Sequence, residues 1–252
     1  MNKNYIRLGD CLELMQEIPC KSIDMILCDL PYGTTSCKWD VVIPFDLLWA
    51  QYNRIIKDNG VIALFGSEPF SSMLRMSNLA NYKYDWYWIK NKPSGALTAK
   101  KQPMKTVETI SIFYKGASIY NPQMTKRSEA ELKKLSKKSV KTSGTDIDNR
   151  KWGKTGNRND NKLKYPRNTL THKTVFNRSK EKVPHPTQKP VDMLEYLIKT
   201  YTHENDIILD NCMGSGSTCI AAINTNRHYI GFEIEQEYFD IAFKRISKSK
   251  TK

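Results

Sequence analysis

The stretch Ile207-Ile208-Leu209-Asp210-Asn211-Cys212-Met213-Gly214-Ser215-Gly216-Ser217-Thr218 reads as a short buried strand, a glycine turn and the first turn of a helix. Three consecutive apolar residues suit a strand covered on both faces. Gly214 and Gly216 permit a tight turn and let backbone approach a ligand closely, and Asp210 places a carboxylate at the strand's end. After a helix over Ser217–Asn224, a second strand, Tyr229–Phe232, ends in Glu233, 23 positions past Asp210. Acids at about this offset bind ribose hydroxyls in nucleotide-type sites. The glycines do not follow G-x-G-x-x-G. The pair therefore points to a nucleoside-containing ligand rather than a pyrophosphate cofactor.

Outward from this turn, strands and helices alternate. Thr187 is placed to cap a helix running to about Tyr201, with Pro190 in its first turn. Gln236–Ile246 follows the second strand as a closing helix. In the first half, Tyr5–Leu8, Ile23–Cys28, Val61–Phe65, Tyr82–Ile89 and Thr106–Tyr114 read as strands. Cys11–Ile18, Phe45–Lys57 and Pro69–Leu79 have helical apolar spacing, and Asn59-Gly60 follows the second as a C-cap would. Tyr84, Trp86 and Trp88 alternate with Asp85 and Tyr87, as on a strand with one face to the core. The pattern predicts an α/β fold with a parallel sheet covered on both sides, and ligands at the carboxyl ends of its strands.

A second strand end also carries chemistry. Ile23–Cys28 delivers Asp29-Leu30-Pro31-Tyr32-Gly33, an acid, a rigid proline and an aromatic, to the sheet edge. An exocyclic amino group on a base is a poor nucleophile, because its lone pair is delocalised into the ring. Asp29 and the carbonyl preceding the Pro31–Tyr32 step can both accept hydrogen bonds from that group and localise the lone pair, while Tyr32 stacks on the base. A methyl sulfonium donor held by Asp210–Gly216 and Glu233 would then be attacked in line, with positioning and electrostatics supplying most of the catalysis. Phe65-Gly66-Ser67-Glu68-Pro69 ends another strand and either lines the pocket or caps the next helix.

The chain's net charge of +14, from 40 Lys and Arg against 26 Asp and Glu, points to a polyanionic partner. The charge is concentrated. Residues 121–180 hold 17 basic and 5 acidic residues, a balance of +12, and only 12 hydrophobic ones. The other 192 residues sit near neutrality at +2. A globular body, 1–120 with 181–252, is thus interrupted by a basic polar insert, in which Leu132, Leu135 and Val140 mark a short amphipathic helix within Glu129–Lys141. The run Lys154–Asn161 is rich in turn residues. No stretch reaches the ~18 apolar residues of a membrane span. Met1–Tyr5 lacks the apolar core of a secretory leader. The six cysteines form no C-x-x-C pair and the four histidines do not cluster with them, so reduced thiols in a cytoplasmic protein, and no metal site, are expected.

These residues carry a family resemblance. Asp29-Leu30-Pro31-Tyr32 resembles the D-P-P-Y motif of S-adenosylmethionine-dependent amino DNA methyltransferases. Asp210 to Gly216 resembles their cofactor loop, and His185-Pro186-Thr187-Gln188-Lys189-Pro190 the segment preceding that loop in the β subgroup. In that subgroup the catalytic motif comes first, a target-recognition region follows and the cofactor loop lies near the C-terminus. This chain has that order over about residues 5–247. The resemblance implies a Rossmann-like methyltransferase with a mostly parallel, circularly permuted seven-stranded sheet, and with 121–180 in the recognition slot.

The resemblance implies catalytic roles for Asp29, Pro31 and Tyr32. It implies S-adenosylmethionine contacts at Asp10, Asp29, His185, Asp210, Cys212, Gly214, Gly216, Ser217, Thr218 and Glu233; Asp10 also reads as a helix N-cap. Trp88, Lys90 and Asn91 resemble a family segment near the pocket. The implied partner is double-stranded DNA, gripped by Lys126, Arg127, Lys133, Lys134, Arg150, Lys151, Arg158 and Arg167. Dimers are common in the family, and a prokaryotic member would associate with the nucleoid. Leu30 replaces a proline, and Asn211-Cys212 stands where Pro-Phe is usual. Cytosine-amino methyltransferases usually carry Ser where Asp29 stands, which favours the N6 amino group of adenine. Cytosine-N4 methylation, action on RNA and a non-catalytic nucleic-acid-binding relative remain alternatives.

Overall fold

The computed structural model describes residues 3–35, 37, 39–136, 162–176 and 181–249. They form two compact units, Met1–Asn121 with Asn168–Lys252, and Pro122–Arg167. The first unit is built on one sheet of eight strands: β1 (Tyr5–Leu8), β2 (Ile23–Cys28), β3 (Ile56–Gly66), β4 (Tyr82–Ser94), β5 (Lys105–Phe113), β8 (Thr169–Leu170), β9 (Ile207–Asp210) and β10 (His228–Glu233). Their order is β1-β10-β9-β2-β3-β5-β4-β8, and only the pairings of β5 are antiparallel. The sheet has one strand more than expected. The extra strand is β8, whose Thr169 and Leu170 pair with Tyr87 and Trp88.

Successive side chains on a strand point to opposite faces, and both faces are buried. Met25 and Leu27 of β2 face a core shared with α5 (Val191–Tyr201), α6 (Ser217–Asn224) and α7 (Gln236–Ser249). Ile26 and Cys28 face the opposite core, with α1 (Cys11–Gln16), α2 (Phe45–Ile55) and α3 (Phe70–Ser77). Trp86 and Trp88 join the first core beside Ile110 and Ile112, as their alternation predicts. The permutation is visible at one edge. The N-terminal β1 runs parallel to the C-terminal β10, pairing Tyr5 with Ile230 through Leu8 with Glu233, and α7 packs on both.

Two boundaries differ from expectation. Asn59-Gly60 does not cap α2, which ends at Ile55. Ile56 already pairs with Ile23, and the register shift before Met25 absorbs the residues up to Val61. A Cβ on Gly60 would lie 2.8 Å from the Ile56 side chain and 2.9 Å from the Asp24 carbonyl, so close approach is what selects glycine. Thr187 does not cap α5, whose first residue follows Pro190 in an extended conformation. The preceding segment wraps instead around buried Gln188, which accepts from Val183 N at 3.1 Å and donates to the Glu181 carbonyl at 2.8 Å.

The second unit carries β6 (Thr125–Lys126) paired antiparallel to β7 (Leu163–Lys164), and α4 (Glu129–Ser136). Ser128 and Glu131 close a reciprocal box at the start of α4: Ser128 N donates to Glu131 at 2.8 Å and Glu131 N to Ser128 Oγ at 3.3 Å. The unit ends at Arg167, earlier than the basic window 121–180, because β8 returns the chain to the sheet. Val140 and the run 154–161 lie outside the described residues.

Candidate active site

A cleft of about 810 Å³ opens at the carboxyl ends of the strands. Asp10, Asp29, Pro31, Tyr32, His185, Asp210, Cys212, Gly214, Ser217, Thr218 and Glu233 all line it. Gly216 does not: it sits at the N-terminus of α6 with φ +76°, and a Cβ there would meet Ala242 and Ile246 of α7 at 3.1 and 3.2 Å. It admits close helix packing. Trp88, Lys90 and Ser67 also line the cleft, whereas Asn91 is engaged by Thr174, whose N and Oγ1 donate to it at 2.8 and 2.9 Å.

The glycine-loop end is organised by backbone donors. Glu233 Oε2 accepts from Gly214 N at 2.7 Å, and Oε1 from Ile234 N at 3.0 Å and Glu235 N at 2.9 Å. A carboxylate offers about four lone-pair sites, so one stays open to a hydroxyl. Burial pushes this carboxyl above its usual range. Burial likewise pushes Asp210 up to about 7, although Thr218, Cys28 and Cys212 N hydrogen-bond to it. Asp10 accepts from Leu12 N at 2.7 Å, capping α1 while lining the cleft. Asn211 packs inward, accepting from the buried Tyr52 hydroxyl at 2.5 Å and donating to Cys11 and Cys212 sulfurs at 3.5 Å. His185 lies against Gly214, its ring edge-on to Tyr238 at 4.5 Å between centroids. Burial, then Lys182 and Lys189, push its imidazole down to about 4, so it is neutral at pH 7. Its buried Nδ1 has no partner among the described residues.

The Asp29 end is organised by side chains. Tyr32 donates its hydroxyl to Asp29 Oδ1 at 2.6 Å, and its ring stacks on Phe70 at 4.9 Å. Lys189 Nζ lies 2.5 Å from Asp29 Oδ2 and 3.5 Å from Glu108 Oε2, and Lys90 Nζ lies 2.9 Å from Glu108 Oε1. Burial raises the Asp29 carboxyl, and Lys189 opposes that rise. Glu108 feels the same burial, but its two lysines outweigh it and lower the carboxyl. Beneath the loop, the buried Asp40 carboxylate accepts from four consecutive backbone N–H groups: Tyr32 and Gly33 at 2.7 and 2.9 Å on Oδ1, Thr34 and Thr35 at 2.9 and 2.7 Å on Oδ2. Burial raises this carboxyl, yet the donors win and hold it below its usual range. Sequence reasoning assigned no role to Asp40, Glu108 or Lys189.

The chain matches a known family along most of its length. The family model described as DNA methylase, of the N6/N4 amino type, covers residues 23–244. The chain belongs to this DNA methylase family. It is 30% identical over 251 residues to the DNA adenine methyltransferase YhdJ of Escherichia coli K12, covering 94% of this chain and 81% of that one. Among solved structures, an M1.HpyAVI–SAM complex superposes with a TM-score of 0.63 at 26% identity, over 96% of this chain and 98% of the other. The cytosine-N4-specific PvuII DNA methyltransferase shares the fold, with a TM-score of 0.65 at 16% identity, over 100% of this chain and 92% of the other. The methylase is therefore an S-adenosylmethionine-dependent enzyme of the amino DNA methyltransferase type.

Of the basic residues expected to contact DNA, Lys126, Arg127, Lys133 and Arg167 lie in the second unit, all but the half-buried Arg127 exposed. Lys134 lies on α4, while Arg150, Lys151 and Arg158 are outside the described residues. Among the described residues no His, Cys, Asp and Glu cluster fits a metal ion, and no helix is long and apolar enough to cross a membrane.

Proposed function

We propose that the methylase transfers a methyl group to the N6 amino group of an adenine flipped out of double-stranded DNA. The observation that carries this reading is the meeting of Asp29 and Tyr32 with the glycine loop and Glu233 in one cleft. At about 810 Å³ the cleft lies in the upper part of the range of about 300–1,000 Å³ usual for ligand sites. Its lining joins the glycine loop at one end to Asp29 and Tyr32 at the other.

The residues present fit S-adenosylmethionine. Glu233 keeps an open acceptor for a ribose hydroxyl, and Gly214 leaves backbone exposed to the cleft. Asp10, His185, Asp210, Cys212, Ser217 and Thr218 complete the wall around that position. When bound, the cofactor supplies an electrophilic methyl group on a sulfonium. The chain's own residues prepare the nucleophile. Asp29 has one lone-pair site free on each oxygen beside Tyr32 and Lys189. With the Leu30 carbonyl it can accept both amino hydrogens and localise the nitrogen lone pair. Lys189 favours the ionised form of Asp29 against the effect of burial, and the carboxylate offsets the positive charge that builds on nitrogen as the bond forms. Tyr32, backed by Phe70, is a platform for the base. The target atom is paired inside a duplex, so the base must leave the stack to reach it.

The test is incubation with labelled S-adenosylmethionine and mixed unmethylated DNA at low salt, then digestion and mass analysis of nucleosides. N6-methyldeoxyadenosine is the expected product. N4-methyldeoxycytidine would move the target to cytosine, and no methylated DNA would overturn the reading. Asp29→Ala should still bind cofactor by calorimetry and lose turnover.

A further inference from the structure

Beyond the cleft, β4 and β5 continue as a hairpin. Its base is part of the cleft wall, through Lys90, Lys92, Ser94 and Lys105. Residues 90–105 contain five lysines and no acid. Ser94 pairs with Lys105, and the chain between them turns through a short 3-10 segment, Ala96–Thr98, entered by Gly95 at φ +87°. The tip is internally bonded. Thr98 N donates to Gly95 O at 3.1 Å, Lys101 N to Thr98 O at 2.8 Å, and the Gln102 amide to Thr98 Oγ1 at 3.1 Å. On this bonded turn Leu97 is fully exposed, and every residue from 91 to 107 is exposed with it.

Single exposed apolar residues are ordinary on a protein surface. This one differs in placement. It is the largest apolar side chain on the tip, between Ala96 and Ala99, and it is held out by a turn whose own hydrogen bonds are satisfied. It stands on a stalk whose charged residues are all lysines, rising from the rim of the cleft. A purely electrostatic arm has no use for it. A flipped base leaves a gap in the stack, and proteins that distort duplexes fill such gaps with apolar wedges such as leucine while lysines neutralise the flanking phosphates. We propose that the Ser94–Lys105 hairpin enters duplex DNA beside the target and that Leu97 occupies the space the flipped base vacates. This inference rests on the cleft receiving a flipped base.

The experiment compares Leu97→Ala, Leu97→Met and the paired change Lys100→Ala with Lys101→Ala against the unaltered chain. The substrate is unmethylated bacteriophage DNA. Single-turnover methyl transfer is measured at saturating S-adenosylmethionine, and DNA affinity by fluorescence anisotropy on a fragment of the same DNA. Leu97 makes no packing contact that the fold needs, so these variants fold. Leu97→Ala should lose tenfold or more in transfer rate with affinity changed less than twofold. Leu97→Met should stay within threefold of the unaltered rate, because an unbranched apolar chain fills the same gap. The lysine pair should lose affinity. Leu97→Ala within twofold of the unaltered rate overturns the proposal, as does equal loss in Leu97→Met. A rate loss matched by affinity loss overturns it too, since the tip is then only a grip. If the unaltered chain methylates no DNA, the failure lies in the proposed function.

Discussion

Lys189 sets the charge on Asp29, and replacing it by methionine should change how the rate depends on pH. The Lys189 and Asp29 side chains are 10% and 24% exposed, so water screens the pair only partly. Opposite charges about 4 Å apart interact by about 4 kcal/mol at an effective dielectric constant near 20. Part of that offsets the cost of burying the ammonium. An opposite charge at this range typically moves a carboxyl group by about 1–3 pH units. The sign follows from the cause. Burial alone raises the Asp29 carboxyl, and Lys189 opposes it. Without the lysine the carboxyl rises further, less of it is ionised at a given pH, and the acid limb of kcat/KM moves to higher pH by about 1–3 units. Labelled methyl transfer to phage DNA from pH 5.5 to 9.5 measures this. The quantity to plot is the ratio of variant to unaltered enzyme. The Asp210 carboxyl, held near 7 by burial, titrates in both proteins and cancels from it. The ratio should fall tenfold or more on the acid side and recover by about pH 9, while Lys189→Arg stays nearly flat. A ratio independent of pH, with both proteins folded by circular dichroism, would refute the charge-setting role.

Removing the four-donor acceptor with Asp40→Ala leaves the N–H groups of residues 32–35 without their partner. It should destabilise the fold by about 1–3 kcal/mol, lowering Tm by roughly 2–10 °C in a melt followed by circular dichroism. It should also reduce kcat at least tenfold while the calorimetric affinity for S-adenosylmethionine stays within twofold. Glu233→Ala should do the reverse, weakening S-adenosylmethionine tenfold or more by calorimetry with Tm changed by only a few degrees; unchanged affinity would remove Glu233 from the cofactor site. DNA affinity should fall with salt at a log–log slope of about −0.9 per phosphate neutralised, and alanine at Lys126 and Arg167 should each make that slope shallower by about 0.9. An unchanged slope would mean that neither residue touches the backbone.

What the sequence made legible follows from how local each signal is. Apolar runs that end in acids place Asp29, Asp210 and Glu233 at strand ends, and those need no long-range information. Asp10 as a cap is equally local, since its acceptor reaches Leu12 only two residues on. Lys189 meets Asp29 across 160 positions, so its partner exists only once α5 packs beside β2. Glu108 lies on β5 between Val107 and Thr109 with nothing local to mark it, and two lysines from different parts of the chain neutralise it. β8 escaped notice because a two-residue strand has no periodicity, and of its pair only Leu170 is apolar. Asn59-Gly60 carries a genuine capping composition, but the tertiary pairing of Ile56 with Ile23 ended the helix first.

The register of three central strands explains why the site survives both the permuted order and the insert. Leu209 pairs with Ile26, and Asp210 with Gly231. By that register Asp29 and Glu233 each lie two residues past the level of Asp210, or about 7 Å further along the strands. They lie on either side of β9, about 10 Å apart across the sheet. Asp210 thus sits in the floor between two carboxylates that stand further along the strands, Asp29 on the β2 side and Glu233 on the β10 side. Chain order does not enter this geometry. β2 supplies its acid early in the sequence and β10 late, and β1 joins β10 from the far terminus. The segment Pro122–Arg167 leaves after β5 and returns before β8, both on the side of β2 away from β9 and β10. The register that aligns Asp29, Asp210 and Glu233 is therefore set within the sheet and does not depend on the length or composition of that segment.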